Sequence, residues 1–328
     1  MHPTDQPLAG KVALVAGATR GAGRAIAVEL GRSGAQVYCT GRSTRGNPSD
    51  YDRPETIEGT AERVTDAGGT GIAVAVDHTD IWQVKALITR IEEEHGRLDI
   101  LVNDIGGEPY VKFEIPLWQY PFEQGMKLFN TGFTTHLITS HCALGLLTRS
   151  PEALIVEVTD GTRRYNASHY RSTVFLDITK TAVDRLAFAQ GHEVAPHGGT
   201  AVCVSPGWLR SEMMLDAFEV TEDTWRQAAE ANRGTQDAVP PYEFVISETP
   251  AMLARGIAAL AADPHRSQWN TQSLSSFDLA QHYGVTDTDG SQPDSWSFIT
   301  AMETQPAEEL DVTAYRQPHQ RPGPAASS

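Results

Sequence analysis

An apolar run that leads directly into a glycine-rich turn and a helical segment constrains this chain most. Residues 12–16 are Val-Ala-Leu-Val-Ala, residues 17–23 are Gly-Ala-Thr-Arg-Gly-Ala-Gly, and residues 24–30 have a helical apolar pattern. Glycine allows a tight turn and a close approach between backbone and ligand, so this order predicts a strand, a phosphate-binding turn and a helix. The free N–H groups and positive end of such a helix favour a phosphate group.

Short β-branched runs alternate with longer helical patterns along most of the chain. The predicted strands are residues 12–15, 36–39, 72–76, 100–102, 154–158 and 200–204. The predicted helices between them include residues 23–33, 81–95, 122–147 and 177–193. Each crossover is long enough for a parallel return, which predicts a Rossmann-type, doubly wound α/β domain of six parallel strands with helices on both faces.

We expect a single domain over residues 1–302. Three stretches depart from the minimal pattern: residues 42–58 are predicted as a loop, and residues 108–122 and 218–247 as lids over a site. Residues 303–328 are rich in proline and end in Ala-Ala-Ser-Ser, so their apolar burial would not offset their ordering entropy. They are predicted to form a flexible C-terminal tail.

The balance of charge and the few cysteines limit the partners and the compartment. A formal net charge of −16 leaves no basic surface for nucleic acid or for an anionic membrane. Three cysteines are an odd number, and two of them lie in apolar runs, which favours free thiols in a reducing compartment. The first ten residues lack the features of a secretory signal, so a cytoplasmic location is predicted, and no metal site is expected.

The residues around the end of the second predicted strand bear on which dinucleotide is bound. An NAD-preferring site usually has an acidic residue there, whereas this chain has Thr40-Gly41-Arg42. Arg42, with Arg20 in the glycine turn, suits the 2′-phosphate of NADP, although both arginines could instead be solvated surface residues. Asp77, after the third strand, could accept a hydrogen bond from the adenine amino group or be a plain turn residue.

The chain resembles the short-chain dehydrogenase/reductase family from about residue 8 to about residue 290. The resemblance is carried by these motifs together with Asn103-Asp-Ile-Gly106 and Pro206-Gly-Trp-Leu-Arg-Ser211. Residues 277–284 and 287–290 resemble the branch of dehydrogenase/reductase SDR family member 1 and its bacterial relatives. Asp104 and Ile105 depart from the family's usual Asn-Ala. The cofactor-binding residues predicted in this way are Gly17, Thr19, Arg20, Gly21, Gly23, Arg42, Asp77, Asn103, Gly106, Lys180, Pro206, Gly207 and Ser211.

The resemblance also implies a catalytic set of Asn, Ser, Tyr and Lys, with Tyr four residues before Lys on one helix. Asn130 fits the Asn position and Lys180 fits the Lys position, where it would bind the nicotinamide ribose. The Tyr position falls on Leu176, and none of the five lysines has a tyrosine four residues before it. Thr159 and Asp160 replace the usual serine pair.

Leucine cannot exchange a proton, so either another group supplies it or the chemistry differs. Tyr165, His169 and Tyr170 lie just upstream and could reach the nicotinamide. Asp160 could act as a base or a neutral acid, or it could form a purely structural salt bridge with Lys180. His169 could equally be an exposed loop residue, and Asn130 a helix-kink residue.

The sequence therefore predicts an NADP(H)-dependent oxidoreductase that acts on a carbonyl or alcohol, with Asn130 and Lys180 retained and the proton donor moved to Tyr170, Tyr165 or Asp160. Aromatic residues in the two lids favour a bulky, apolar small-molecule substrate. The alternatives are a redox-neutral enzyme, catalysing a dehydration, aldol or cyclisation step, and a non-catalytic NADP-binding protein. The family commonly pairs through the helices near residues 122–147 and 177–194, which implies a homodimer or homotetramer.

Overall fold

The central sheet of the computed structural model, which describes residues 6–48 and 53–317, contains seven strands, all paired in parallel. The strands are β1 (Val12–Ala16), β2 (Gln36–Gly41), β3 (Thr70–Ala75), β4 (Ile100–Asn103), β5 (Leu154–Val158), β6 (Thr200–Ser205) and β7 (Ser273–Ser275). Their order is β3-β2-β1-β4-β5-β6-β7. The predicted doubly wound fold is confirmed, but the count of six was wrong because β7 has only three residues and no β-branched run.

Helices cover both faces of the sheet. They are α1 (Gly21–Arg32), α2 (Ile57–Asp66), α3 (Ile81–His95), α4 (Phe122–Phe129), α5 (Thr135–Leu147), α6 (Arg163–Asn166), α7 (Val174–Val194), α8 (Glu212–Ala217), α9 (Trp225–Ala231), α10 (Pro250–Ala262), α11 (Ser276–Tyr283), α12 (Ser295–Met302) and α13 (Val312–Arg316). Alternate residues of β1 face opposite cores: Ala13 and Val15 pack on the side of α1 and α10, whereas Val12 and Leu14 pack on the side of α3 and α5. This alternation follows from the two-residue period of a strand.

The predicted helix 122–147 is interrupted. A π-helical segment, Asn130–Thr134, separates α4 from α5. Such segments are rare and often lie at functional sites. Gly132 within it is buried against α7, where an added Cβ would lie 2.8 Å from Cγ2 of Thr179.

The prediction of a loose tail from residue 303 was wrong for residues 303–317. Ala307, Leu310 and Arg316 are buried, and the segment packs with the helices of the 218–247 region in a separate apolar cluster. Arg316 also donates from Nη1 to the backbone oxygen of Ser247 at 3.0 Å. A few apolar side chains and one buried arginine thus order residues 303–317, although the proline content of this segment predicted a flexible tail. Residues 318–328 lie outside the described residues.

Two further features concern the thiols and the membrane. All three cysteines are free, with Cys39 and Cys203 buried and Cys142 partly buried, as the sequence predicted. Over residues 6–48 and 53–317, no helix is both long and apolar enough to cross a membrane.

Candidate active site

The loops that follow β1, β4, β5 and β6 meet at the carboxyl edge of the sheet, because these four strands are parallel neighbours. Ligands of open α/β sheets bind at this edge, where the strand order reverses. Here the reversal lies between β1 and β4. The predicted cofactor and catalytic residues are distributed over these loops and the helices that follow them.

Sterics account for the glycines of the turn after β1. Gly17 has φ 93°, and a Cβ there would lie 2.6 Å from the backbone oxygen of Asp104. A Cβ on Gly23 would lie 2.3 Å from the backbone oxygen of Gly17. Gly21 has φ 52°, in the left-handed region that favours glycine. The turn is therefore packed directly against the loop after β4.

The N-terminus of α1 binds an anionic oxygen within the chain itself. The N–H of Gly21 donates to Oε2 of Glu212 at 3.0 Å, and Arg24 donates from Nη1 to Oε1 of the same carboxylate at 3.1 Å. Arg24 also donates from Nη2 to the backbone oxygen of Thr19 at 2.7 Å. An N–H at a helix start, a nearby guanidinium and a turn with glycine at three of its seven positions fit the phosphates of a dinucleotide. The residues present thus suit the cofactor that the sequence predicts.

The residues predicted to select NADP lie at the rim of this turn. Arg20 approaches Glu55, with Nε 3.4 Å from Oε2, and Arg42 is exposed after β2. Oδ1 of Asp77 accepts from the N–H and the hydroxyl of Thr79 at 2.9 and 2.7 Å. These hydrogen bonds are typical of a turn residue. They match the interpretation of Asp77 as a plain turn residue and not as an acceptor for the adenine amino group.

The other predicted cofactor residues have structural contacts. Asn103 is buried, and its Nδ2 donates to Ser140 at 3.1 Å and to Glu157 at 3.0 Å. The backbone oxygen of Pro206 accepts from Nε1 of Trp296 at 3.1 Å. The N–H of Gly207 donates to Ser276 at 3.3 Å, and the hydroxyl of Ser211 caps α8.

Lys180 and Glu108 form an ion pair at the centre of this edge. Lys180 is buried on α7, and its Nζ donates to Oε1 of Glu108. Burial alone would lower the pKa of the lysine ammonium, but the carboxylates of Glu108 and Asp160 outweigh it and raise this pKa. The Glu108 side chain as a whole is exposed, but desolvation of its carboxyl beside Lys180 acts to raise the pKa of that group; the charge of Lys180 outweighs this effect and lowers the pKa. Leu176, one turn before Lys180, is 7% exposed and carries no polar atom.

Asp104 extends this group of charges toward the glycine turn. Its Oδ2 would lie 2.9 Å from a Cβ added to Gly23. Burial, reinforced by the charge of Glu108, raises the pKa of the Asp104 carboxyl to about 7. Asp104 thus lies against the glycine turn and close enough to Glu108 and Lys180 for their charges to act on its carboxyl.

The remaining candidate proton donors are engaged elsewhere or exposed. Asp160 pairs with Arg171, so the salt bridge between Asp160 and Lys180 that the sequence allowed is not formed. The hydroxyl of Tyr165 donates to Oε1 of Glu303 at 3.3 Å, while burial and this carboxylate raise the pKa of the phenol. Tyr170 is 62% exposed.

His169 belongs to the same outer group as Tyr165. The two rings are stacked with centroids 3.9 Å apart. Nε2 of His169 lies 2.9 Å from Oε2 of Glu303, and the bond from Nδ1 to the backbone oxygen of Tyr165 and the contact with Glu303 raise the pKa of this imidazole. A segment predicted to be a loose tail therefore supplies a partner to two of the predicted donors.

Asn130 begins the π-helical segment and is exposed. Its Oδ1 accepts from the hydroxyl of Thr134, one turn further along, at 3.3 Å. The helix-kink interpretation weighed for Asn130 matches this position. The hydroxyl of Thr159, at the serine position, donates to the backbone oxygen of Lys180 at 2.9 Å.

The aromatic residues predicted to surround the substrate separate into two groups. Trp225 is 5% exposed inside the apolar cluster of the 218–247 region, and Trp208 packs there against Phe244. Phe113 and Trp118, in the loop after β4, are 67% and 83% exposed.

Sequence reasoning missed Glu108 as a site residue. The signal was the pair Gly106-Gly107 before it: a Cβ on Gly106 would lie 1.8 Å from Oε2 of Glu108, and a Cβ on Gly107 would lie 2.7 Å from the backbone oxygen of Leu128. Two adjacent glycines let the loop fold back toward α7. Without coordinates, they are indistinguishable from an ordinary turn.

A fully buried network behind the site was also missed. Glu157, at the end of β5, accepts from Nδ2 of Asn103 at 3.0 Å and Nε2 of Gln190 at 2.8 Å, and its Oε2 lies 2.7 Å from Nδ1 of His136. Nε2 of His136 lies 3.1 Å from the backbone oxygen of Ile105. The network therefore fixes the loop that carries Glu108.

Comparisons with known proteins agree with this geometry. The family model for short chain dehydrogenases matches residues 11–221. The chain is 31% identical over 292 residues to "Dehydrogenase/reductase SDR family member 1" of Mus musculus and 29% identical over 296 residues to the Homo sapiens protein of that name, in both cases with 87% of this chain and 85% of the relative covered. A short chain dehydrogenase structure from Mycobacterium thermoresistibile shares the fold, with a TM-score of 0.69, 19% identity, and 86% of this chain and 90% of that chain covered. The chain is an enzyme of the short-chain dehydrogenase/reductase family.

Proposed function

We propose that this enzyme is an NADP(H)-dependent oxidoreductase that interconverts a carbonyl and an alcohol, with Leu176 at the position where the family has its tyrosine. The buried Lys180 carries the proposal, because Asp104 and Glu108 connect it to the glycine turn at one edge of the sheet. When bound, the nicotinamide would supply or accept a hydride. The phosphates would be held by the turn and the start of α1, and the nicotinamide ribose by Lys180.

The preference for NADP over NAD rests on charge. Arg20 and Arg42 lie on the two sides of the place expected for the adenosine 2′-phosphate, and the residues between Thr40 and Arg42 include no acid that would bind a free 2′-hydroxyl. A guanidinium binds phosphate through charge-assisted hydrogen bonds.

For the substrate we propose a bulky, apolar small molecule. Phe113 and Trp118 remain exposed on the loop that carries Glu108, where an apolar ligand could cover them. Trp208 and Trp225, which the sequence also suggested, instead stabilise the 218–247 cluster and lend no support to this part.

The test is NADPH oxidation, and NADP⁺ reduction, with a panel of ketones, aldehydes and alcohols of increasing apolar size, followed by stopped-flow absorbance. We expect turnover that disappears in Lys180→Ala, while Lys85→Ala, an exposed lysine on α3, keeps the wild-type rate. Absence of turnover across a broad panel, with NADPH binding confirmed by calorimetry, would overturn the proposal.

Leu176 itself favours one alternative, a redox-neutral reaction in the same pocket, because the missing phenol removes the family's usual route to reduction. This alternative requires conversion of a substrate at constant mass without a change in NADPH absorbance. A protein that binds NADPH and converts nothing would instead be a sensor or partner subunit.

We further propose that the enzyme is a homodimer or homotetramer. Leu137 on α5 and Ile178 on α7 are 44% and 50% exposed, on the helices through which the family commonly pairs. Light scattering coupled to gel filtration tests this, and a monomer at micromolar concentration would contradict it.

A further inference from the structure

The loop after β4 is built to bring one carboxylate to Lys180. Glu108 begins a 3₁₀ turn, Glu108–Tyr110, directly after Gly106 and Gly107. Its carboxylate occupies space that any side chain at position 106 would fill, and Gly107 packs on the backbone of Leu128. Because His136 also contacts the backbone oxygen of Ile105, the loop is fixed from behind. The backbone of this loop therefore has a fixed path that leaves the Glu108 side chain within reach of Lys180.

The two partners of this pair differ in their access to water. The side chain of Lys180 is 10% exposed, whereas that of Glu108 is 56% exposed. A proton on Nζ is thus shielded, while solvent reaches the side chain that accepts its hydrogen bond. This arrangement suits a proton path that enters through Glu108 and ends at Lys180.

The charged groups that act on Nζ have separate partners. Asp160 raises the pKa of Lys180 from a distance but is itself paired with Arg171. Asp104 acts in the same direction from the side of the glycine turn. Glu108 is the carboxylate that contacts Nζ directly. Changing Glu108 therefore removes the direct contact; because the charge of Glu108 also raises the pKa of Asp104, its loss lets Asp104 ionise more readily, which offsets part of the effect on Lys180.

We propose that Lys180 and Glu108 together replace the missing phenol: Nζ of Lys180 exchanges the proton with the substrate oxygen, and Glu108 holds Nζ and returns the proton from solvent. An ammonium is a reasonable substitute, because its ordinary pKa of about 10.4 is close to the value of about 10 for a tyrosine phenol. Leu176, one turn away, offers the substrate an apolar contact and no competing proton.

The atoms balance in both directions. In reduction, NADPH would supply the hydride, whose electron pair forms the new C–H bond, and would be left as NADP⁺. The electron pair of the C=O π bond moves to oxygen, and the resulting alkoxide takes one proton from Nζ. Lys180 is left as a neutral amine and regains its proton from water through the Glu108 carboxylate. In oxidation, the neutral amine accepts the hydroxyl proton, Glu108 passes it outward, and NADP⁺ would accept the hydride from the carbinol carbon.

This inference rests on the proposed function, so its first test needs no turnover. The chain has five lysines, Lys11, Lys85, Lys112, Lys127 and Lys180, which makes [¹³Cε]-lysine NMR titration of the full-length protein practical. The Lys180 signal is identified by its loss in Lys180→Arg. We expect Glu108→Gln to lower the measured pKa of Lys180 by about one pH unit or more, because burial lowers this pKa and one of the carboxylates that raise it is removed. Glu114→Gln, an exposed carboxylate of the same loop, should not change it.

The second test is the pH dependence of kcat/KM for reduction. The wild-type rate should fall where Lys180 loses its proton, and in Glu108→Gln this fall should begin at correspondingly lower pH. Lys180→Arg keeps a cation for the ribose but has no proton to donate at these pH values, so it should bind NADPH and lose on the order of 10²- to 10⁴-fold in reduction.

The outcomes separate the two proposals. An unchanged Lys180 pKa in Glu108→Gln overturns the inference whatever the enzyme catalyses. If the enzyme reduces a carbonyl but Glu108→Gln does not change the pH profile of that reduction, the inference is also overturned, while the proposed function survives. Absence of turnover over the whole panel overturns the proposed function and the proton step with it, even if the titration shows the coupling.

Discussion

The turn at Gly17–Gly23 and the face of α7 at Leu176 and Lys180 lie at the same edge of the sheet but are constrained in different ways. In the turn, Cβ atoms at Gly17 and Gly23 would overlap backbone atoms that have no freedom to move. Leu176 is buried on α7, at the position where our proposal places the family's tyrosine. The first region is fixed by backbone sterics, whereas under that proposal the second is constrained only by the need for some group that exchanges a proton.

The difference bears on which substitutions each region can accept. A backbone overlap cannot be relieved by a neighbour, so glycine is required wherever the turn is kept. A proton can come from any side chain of suitable pKa within reach, and we propose Lys180 on α7, held by Glu108 from the loop after β4, as such a group.

The largest effect is expected for Gly23→Ala. Its Cβ would lie 2.3 Å from the oxygen of Gly17, so the turn must open, and NADPH affinity should fall at least about 100-fold with a loss of stability of about 2–4 kcal/mol. Calorimetry and thermal unfolding measure the two effects. Gly145→Ala on α5, with no atom within 4 Å of the added Cβ, is the control and should be neutral or stabilising by up to about 1 kcal/mol. If the two variants changed NADPH affinity and stability equally, backbone sterics would not be what constrains the turn.

Leu176→Tyr should have the next largest effect. A phenol one turn before Lys180 provides the family's usual donor, and carbonyl reduction should rise by about 10- to 100-fold, within the range known for general acids. Leu176→Phe adds the ring without the hydroxyl and should not increase the rate. Steady-state kinetics on both variants decide the matter. A fall in Leu176→Tyr that Leu176→Phe shares would mean that the space is already used by substrate or by Lys180.

A smaller change is expected for Arg42→Ser. Loss of one guanidinium near the expected 2′-phosphate should weaken NADPH binding by about 10-fold and leave NADH binding nearly unchanged, since one charge-assisted hydrogen bond contributes about 1.5–3 kcal/mol at most. Arg45→Ser, which removes an exposed arginine paired with Glu62, serves as the control. Equal weakening for both cofactors would assign Arg42 a general electrostatic role.

The smallest effect concerns Asp104 and pH. Its pKa is raised to about 7 in the folded chain, above the ordinary value near 4, so the folded state binds the proton more tightly and stability falls as pH rises from about 4 to about 7. Asp104→Asn should remove this dependence. Because the Asp104 side chain is only partly buried, solvent screening reduces the effect of the raised pKa, and the Tm of the variant should exceed the wild-type value at pH 8 by about 2–4 °C, corresponding to about 1 kcal/mol, and equal it near pH 4. A constant Tm difference across that range would contradict the assignment.

The sequence predicted those parts of the molecule that depend on local pattern. β1, the turn and α1 follow from apolar runs and glycines, and α3 was predicted at Ile81–His95, where the structure has it. β7 was missed because Ser273–Ser275 becomes a strand only by pairing with β6. The helix over residues 122–147 was predicted as continuous, and a kink at Asn130 was only one of two interpretations weighed for that residue, because the π-helical segment depends on packing against α7.

The site was less predictable than the fold because its contacts join distant segments. Glu108 and Lys180 are 72 residues apart, and Tyr165 and Glu303 are 138 residues apart. Periodicity and spacing carry no information about such pairs. A sequence motif could identify Lys180, but only the three-dimensional structure could identify Glu108 as its partner.

The contacts of α12 with the loop after β6 have a consequence for any shortening of the chain. Trp296 on α12 donates to the backbone oxygen of Pro206, and Glu303, directly after α12, contacts Tyr165 and His169. One helix therefore holds the segments after β5 and β6 at the carboxyl edge of the sheet. Removal of residues 295–317 is expected to release both segments and to leave the turn at Gly17–Gly23 in place.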